Sequence, residues 1–351
     1  MPTFCRHGRF EASCAICRQE KAKAEPKAVT PRAKGTTARR PASSSTGGSS
    51  TGSTRKRGVV TGKLQRAADD GFRSDFLPGV RSTADALNLA GELTAAEARL
   101  SAYGTEAAGP WAVVADLAGE PHKAFAAALV IAVASPDAAA GSVTTAGAAL
   151  AALQAADGSL ESLDAIGGAT EAKTILADGP RGPRAHDATA AALEVPARLA
   201  QRSGGSLEAA LAGEAAWSAE RRFARLLDRL ALPGLPRAVR FDLLTALGRS
   251  GALPVRADAL HLGSDQVTDA AKRLFAVADT ALLERRAAAL VDATGVAFDA
   301  LELALWNVAG ADAGAGGAAA RWSTAKPRTD LGLPGEADAD EAQVLVDAIR
   351  D

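Results

Sequence analysis

From about residue 71 onward, apolar residues recur three and four positions apart in runs of helix length, cut by Gly and Pro, and this pattern predicts helices. Thr94 followed by Glu97 has capping-box spacing and predicts a helix start over 94–103. The run AFAAALVIAVAS predicts a buried helix within 121–135, stopped at Ser135-Pro136, and 138–156 reads as a further Ala-rich helix. Helices are also predicted over 187–202 and over 218–230, the latter opened by Ser218. A Pro-Gly turn then precedes a short helix with Phe241, Leu244 and Leu247 on one stripe. Residues 265–294 read as two helices broken near Asp279, with Asp279 or Thr280 capping the second and Leu274, Val277, Leu282 and Leu290 facing the core. GVAFDALELALWNVAG is the last firm helix; 311–351 reads as a flexible acidic segment in which EAQVLVDAIR has the spacing of one amphipathic helix. The segment LADGPRGPRAHD at 176–187 is the clearest internal break and is expected to be a mobile connector between two lobes.

Composition sharpens this into a fold class. Hydrophobic residues make up 47% of the chain but aromatic ones only 4%, a balance that favours helices over a large sheet. The expected fold is all-α: a multi-helix body over 71–310, in one domain or two lobes. Trp111, Trp217 and Trp306 are its expected anchors. No apolar run reaches the roughly 20 residues needed to span a bilayer. The first residues are charged and lack a signal-peptide core, so a cytoplasmic protein without a membrane partner is expected.

The net charge of −1 conceals an asymmetry. Residues 1–66 carry fifteen Lys or Arg against three Asp or Glu, a balance of +12; the 25 basic and 38 acidic residues that remain give the rest −13. Within 21–70 the chain is dense in Ser, Gly, Thr and Pro and reads as a disordered basic linker. Its Arg39, Arg40, Arg55, Lys56 and Arg57 are candidate phosphate contacts. A solvated linker, or a tail for an acidic protein partner, fits the same composition.

All three cysteines lie within residues 1–20. Cys5, His7, Cys14 and Cys17 supply three sulfurs and one nitrogen, the donor set of a closed tetrahedral zinc site. So short a module has no core of its own, and one structural zinc ion would supply its folding free energy. A disulfide with one odd thiol, a redox Cys-x-x-Cys and inert cysteines are the alternatives.

Chemistry in the helical body is less explicit. The sequence has no phosphate-binding Gly-rich loop, Gly-x-Ser-x-Gly or His-Glu-x-x-His pattern. The segment Leu232-Pro233-Gly234-Leu235-Pro236-Arg237-Ala238, followed by RAVRFDLLTALG and ALPVRADALHLG, resembles the core of the helix-hairpin-helix base-excision DNA glycosylases. That resemblance implies a turn at Gly234 whose amides approach a DNA phosphate, with Arg237 and Arg240 beside it. It further implies an aspartate, after the hairpin's second helix, that serves hydrolysis of the N-glycosidic bond of a flipped base. Asp258 is the candidate, two residues beyond the family position at Arg256, with Asp265 in reserve. Pro236 replaces the second glycine of the family's turn. Ala238 stands where lyase members carry lysine, and no four-cysteine loop follows, so a lyase or an iron–sulfur enzyme is not expected.

Arg221, Arg222, Arg225, Arg229, Arg237, Arg240 and Arg249 make the surroundings of this turn the most cationic stretch after the tail. His261 falls near Asp258, either orienting a water or as a hydrogen-bonded core residue; His122 and His186 have no partner visible in sequence. Trp322, between Arg321 and Lys326, is the aromatic placed to stack on a base. The resulting expectation is a DNA-binding, possible monofunctional DNA glycosylase, associated with the nucleoid if it binds DNA. Its rivals are a non-catalytic nucleic-acid binder or a protein scaffold that uses the zinc module and tail to recruit partners.

Overall fold

Ser82, not Thr94, opens the first helix: its hydroxyl accepts from the Asp85 amide at 3.1 Å, and α1 runs Thr83–Ser101. Thr94 lies inside α1 and turns its hydroxyl back onto the Ala90 carbonyl, the use a threonine finds when no free amide faces it. The capping-box spacing there is therefore incidental. The computed structural model describes residues 68–101, 103, 110–136, 141–155, 166, 168–312 and 339–350. Among these residues every regular element is helical, as the composition predicts, and no helix is long and apolar enough to cross a membrane.

After α1 come α2 (Pro110–Asp116), α3 (Pro121–Ala134), α4 (Ser142–Ala155) and α5 (Thr170–Asp178). All residues of α3 from Ala124 to Ala134 are buried, as expected of a helix that is apolar on every side. It packs against α2 and α4. Short 3₁₀ turns at Pro183–Ala185 and Ala190–Glu194 lead into α6 (Val195–Arg202) and α7 (Leu207–Ala212). The long helix predicted over 187–202 is thus confined to its second half. Pro196 cannot donate an interior helical hydrogen bond and is placed in the first turn of α6.

The helices α8 (Ala219–Arg229) and α9 (Arg237–Arg249) form a hairpin. Ser218 caps α8 by accepting from Arg221 N at 3.2 Å, as predicted. α10 (Gln266–Phe275), α11 (Thr280–Thr294) and α12 (Phe298–Asp312) follow, and α13 (Ala339–Arg350) returns to pack on α1. Asp279 does cap α11, accepting from Leu282 N at 2.8 Å. The buried stripe, however, is Phe275, Leu283, Ala287 and Leu290. Leu274 and Leu282, each one position off that stripe, are only half-buried.

α9 touches both α3 and α1, so it joins the α3-centred helices to the group around α1 and α12. The joint is polar. Glu302 of α12, 1% exposed, accepts from Arg184 Nη2 and from Arg237 Nη2, each at 2.7 Å. Arg184 also grips Asp242 through two bonds of 2.8 and 2.6 Å and lies over the Trp306 ring at 4.9 Å. Burial alone would lower the Arg184 pKa; the carboxylates of Asp242 and Glu302 outweigh it, so the pKa is raised and the guanidinium stays charged.

These bonds overturn the mobile-connector expectation for 176–187. Arg184 anchors the segment from within the core, and the Gly182 amide donates to the Ala134 carbonyl at 2.8 Å. A side chain at Gly182 would meet the Ser135 carbonyl oxygen at 1.9 Å, so only glycine permits this approach. Removing Glu302 leaves two desolvated guanidiniums short of a counter-charge. Glu302→Ala is expected to lower unfolding free energy by about 3–5 kcal/mol in urea titration.

Candidate functional site

A cavity of about 700 Å³ opens beside the C-terminal half of α9. Its walls come from α8, from α9, from the segment 255–258 and from the α11–α12 junction. Local constraints explain the shape. A Cβ on Gly248 would sit 2.3 Å from the Val255 carbonyl oxygen, so glycine lets the returning chain lie directly on α9. The Leu253 amide holds that return to the Leu247 carbonyl at 3.0 Å, and the Arg256 amide reaches the Ala219 carbonyl at 3.3 Å. On the opposite wall Gly295, at φ +70°, ends α11 in the left-handed conformation and lets α12 begin three residues later.

Apolar surface comes from Phe223, Leu244, Val255, Val296 and Phe298. Thr245, 5% exposed, also lines the cavity, and its hydroxyl has no hydrogen-bond partner among the described residues. Arg249 bonds both oxygens of Asp299 at 2.8 Å and Glu97 of α1 at 2.8 Å. Arg256 is paired with Glu220, whose carboxyl is held down at about 2 by its own amide, the Ser218 hydroxyl and the Arg256 guanidinium. Asp258 and Asp292 line the same cavity without a guanidinium or ammonium partner among the described residues. The cavity is therefore acidic in net charge.

Asp258 lies on the wall, its side chain 54% exposed, with His261 Nε2 3.7 Å from its Oδ1. His261 is fixed with unusual care. Its φ of +48° is left-handed, a conformation uncommon outside glycine that histidine adopts more readily than most residues. Glu284 of α11 holds it there by accepting from the amides on either side, Leu260 N and Leu262 N, both at 2.9 Å. The imidazole stacks on Phe223, centroids 5.7 Å apart. Burial lowers its pKa against the opposing pull of Glu284 and Asp258.

The other sequence candidates occupy different surroundings. Asp265 caps α10, accepting from Thr268 N at 3.1 Å, and pairs with Arg237; it does not line the cavity. Arg237, expected at phosphate, has its guanidinium taken up by Asp265, Glu302 and, at 3.1 Å, the Leu260 carbonyl. Arg240 is half-buried and donates to the Leu227 carbonyl at 2.5 Å. Gly234 does adopt positive φ, +87°, but the turn folds against the body: its carbonyl accepts from Thr189 N at 3.1 Å. A Cβ at Gly234 would lie 2.6 Å from the Thr189 hydroxyl.

The cationic cluster is similarly redistributed. Arg222 donates to the Ala212 carbonyl at 2.9 Å and Arg229 to the Ala210 carbonyl at 3.1 Å, closing the C-terminal end of α7. Trp217, expected in the core, is half-buried and lies between Arg221 and Arg229, its ring centroid 5.2 and 5.9 Å from their guanidinium carbons. Cys5, His7, Cys14, Cys17, Arg39, Arg40, Arg55, Lys56, Arg57 and Trp322 lie outside the described residues.

Sequence reasoning missed most of the cavity. Glu220, Thr245, Arg249, Asp292 and Asp299 come from three distant segments, and only the Gly295 turn marks one of them locally. Comparison with protein-family models, curated proteins and solved structures gave no significant match.

A histidine kept neutral by burial binds a proton more readily after unfolding, so stability falls as pH drops below the ordinary value of 6.5. Melting temperatures across that range should show the fall, and His261→Gln should flatten it.

Proposed function

We propose that the chain is a DNA-binding protein that draws a nucleotide into the cavity beside α9, where Asp258 faces the sugar and stabilises positive charge as an N-glycosidic bond breaks. The observation that carries this reading is the cavity itself: it is large enough for a nucleotide and is walled by Phe223 and Phe298, with an uncompensated carboxylate at Asp258. An oxocarbenium-like sugar is cationic, and an acidic site stabilises it more than it stabilises the neutral substrate. Asp258 also stands in the chain where the glycosylase resemblance asks for a carboxylate, two residues displaced.

The α8–α9 turn contributes differently from the family pattern. With Gly234 packed on Thr189 and Arg237 inside the protein, the hairpin positions the cavity walls, and phosphate contacts fall to other cations. The N-terminal module belongs to the same reading as a recognition element holding one zinc ion through Cys5, His7, Cys14 and Cys17. A non-catalytic nucleic-acid binder is the second reading. The acidic balance of the cavity favours it, since phosphates are repelled there.

One measurement separates these readings, and a second tests the zinc module that both contain. A duplex carrying a cationic pyrrolidine abasic analogue should bind at least tenfold tighter than one carrying neutral tetrahydrofuran, and Asp258→Asn should abolish the difference. Equal affinities for the two duplexes would leave the non-catalytic reading. Metal analysis should give one zinc per chain, and Cys14→Ser should lose it.

A further inference from the structure

With Arg237, Arg240 and Arg249 engaged inside the protein, the question is which cations of the body remain for a polyanion. On α8, Arg221, Arg225 and Arg229 follow one another at intervals of four and form a single row along the helix. Arg221 and Arg225 are exposed, and their guanidiniums make no hydrogen bond or ion pair among the described residues. The row is braced by Trp217, and Gly213 lets that ring close in, since a Cβ there would meet it at 2.7 Å.

At its C-terminal end the row reaches a second, polar pocket of about 330 Å³, lined by Leu199, Arg202, Ser203, Ala209 and Arg229. Arg202 is exposed, and Arg229 spends only Nη1 on the Ala210 carbonyl. Of the carboxylates on these elements, Glu208 is paired with His122 and with the Ser206 hydroxyl, and Glu220 is paired with Arg256; Asp228 is exposed three residues after Arg225 and is the one acidic side chain of α8 near the row.

We propose that this face of α8, ending in the Arg202–Ser203–Arg229 pocket, binds the phosphodiester backbone of DNA. A guanidinium row on a rigid helix matches successive phosphates, and a pocket with two guanidiniums and a hydroxyl seats one of them by charge-assisted hydrogen bonds. Glu220 and Phe223 of the same helix line the large cavity, so α8 would set the distance between backbone contact and the site of base recognition. The assignment rests on the reading that the chain binds DNA, and not on catalysis by Asp258.

The test is a salt series with a fluorescent duplex and the full-length protein. Arg202→Gln and Arg225→Gln alter exposed side chains and are expected to leave the melting temperature unchanged. Each should make the slope of log K against log salt shallower by about 0.9, and the double variant by roughly twice that, with equal weakening for every sequence. Asp258→Asn should keep the full slope, which distinguishes failure of this surface from failure of the cavity. A double variant with unchanged slope and affinity overturns the proposal and leaves the attraction to residues 1–66. An unchanged slope, together with a rise in melting temperature by inorganic phosphate that the double variant lacks, assigns the pocket to a free phosphate and overturns the backbone assignment.

Discussion

Glu302 carries a charge that two arginines share, and much of the helical body is arranged around that sharing. It takes Arg184 from the segment after α5 and Arg237 from the start of α9, while Asp242 accepts from Nε and Nη2 of Arg184 and Asp265 accepts from Nε of Arg237. Three carboxylates and two guanidiniums largely removed from water are tolerable because each makes at least two hydrogen bonds. Such a network fixes geometry more firmly than apolar packing between alanine-rich helices, which present few side-chain knobs to define a register. Here it fixes α9 against α12, and both helices contribute lining residues to the large cavity.

The same arrangement explains why the arginines around the α8–α9 turn do not form one basic surface. Arg237 and Arg249 hold helices together, Arg222 and Arg229 close the end of α7, and Arg240 closes that of α8. What remains exposed on α8 is Arg221 and Arg225 on one side, while the cavity on its other side is acidic. Under the proposed function, this division separates two tasks that conflict electrostatically: a site that stabilises a cationic sugar would repel phosphate, which puts the proposed backbone contacts on a different face of the same helix.

The helices were legible wherever local chemistry decides them. Ser218 and Asp279 cap helices where their spacing says they should, and the uninterrupted apolar run of α3 is buried throughout. Reading failed where a residue's partner lies far away in sequence. The Pro- and Gly-rich stretch around Arg184 looks like a linker until Asp242 and Glu302, 58 and 118 residues on, are seen to hold it. Trp217 looks like a core anchor, and is only half-buried because it packs against Arg221 and Arg229 of the following helix. Of the cavity's lining, only Asp258 was read as a candidate for chemistry, through the glycosylase resemblance; in 291–299 the Gly295 turn is the only local mark, and it announces a helix end and not a site.

The central claim is that the cavity beside α9 receives part of a DNA ligand. Hydrogen–deuterium exchange of the full-length protein, with and without a duplex containing a tetrahydrofuran abasic site, tests it most directly. The account predicts slowed exchange in 255–262 and 291–299, together with α8. Protection confined to residues 1–66 would contradict it and place DNA binding in the tail alone.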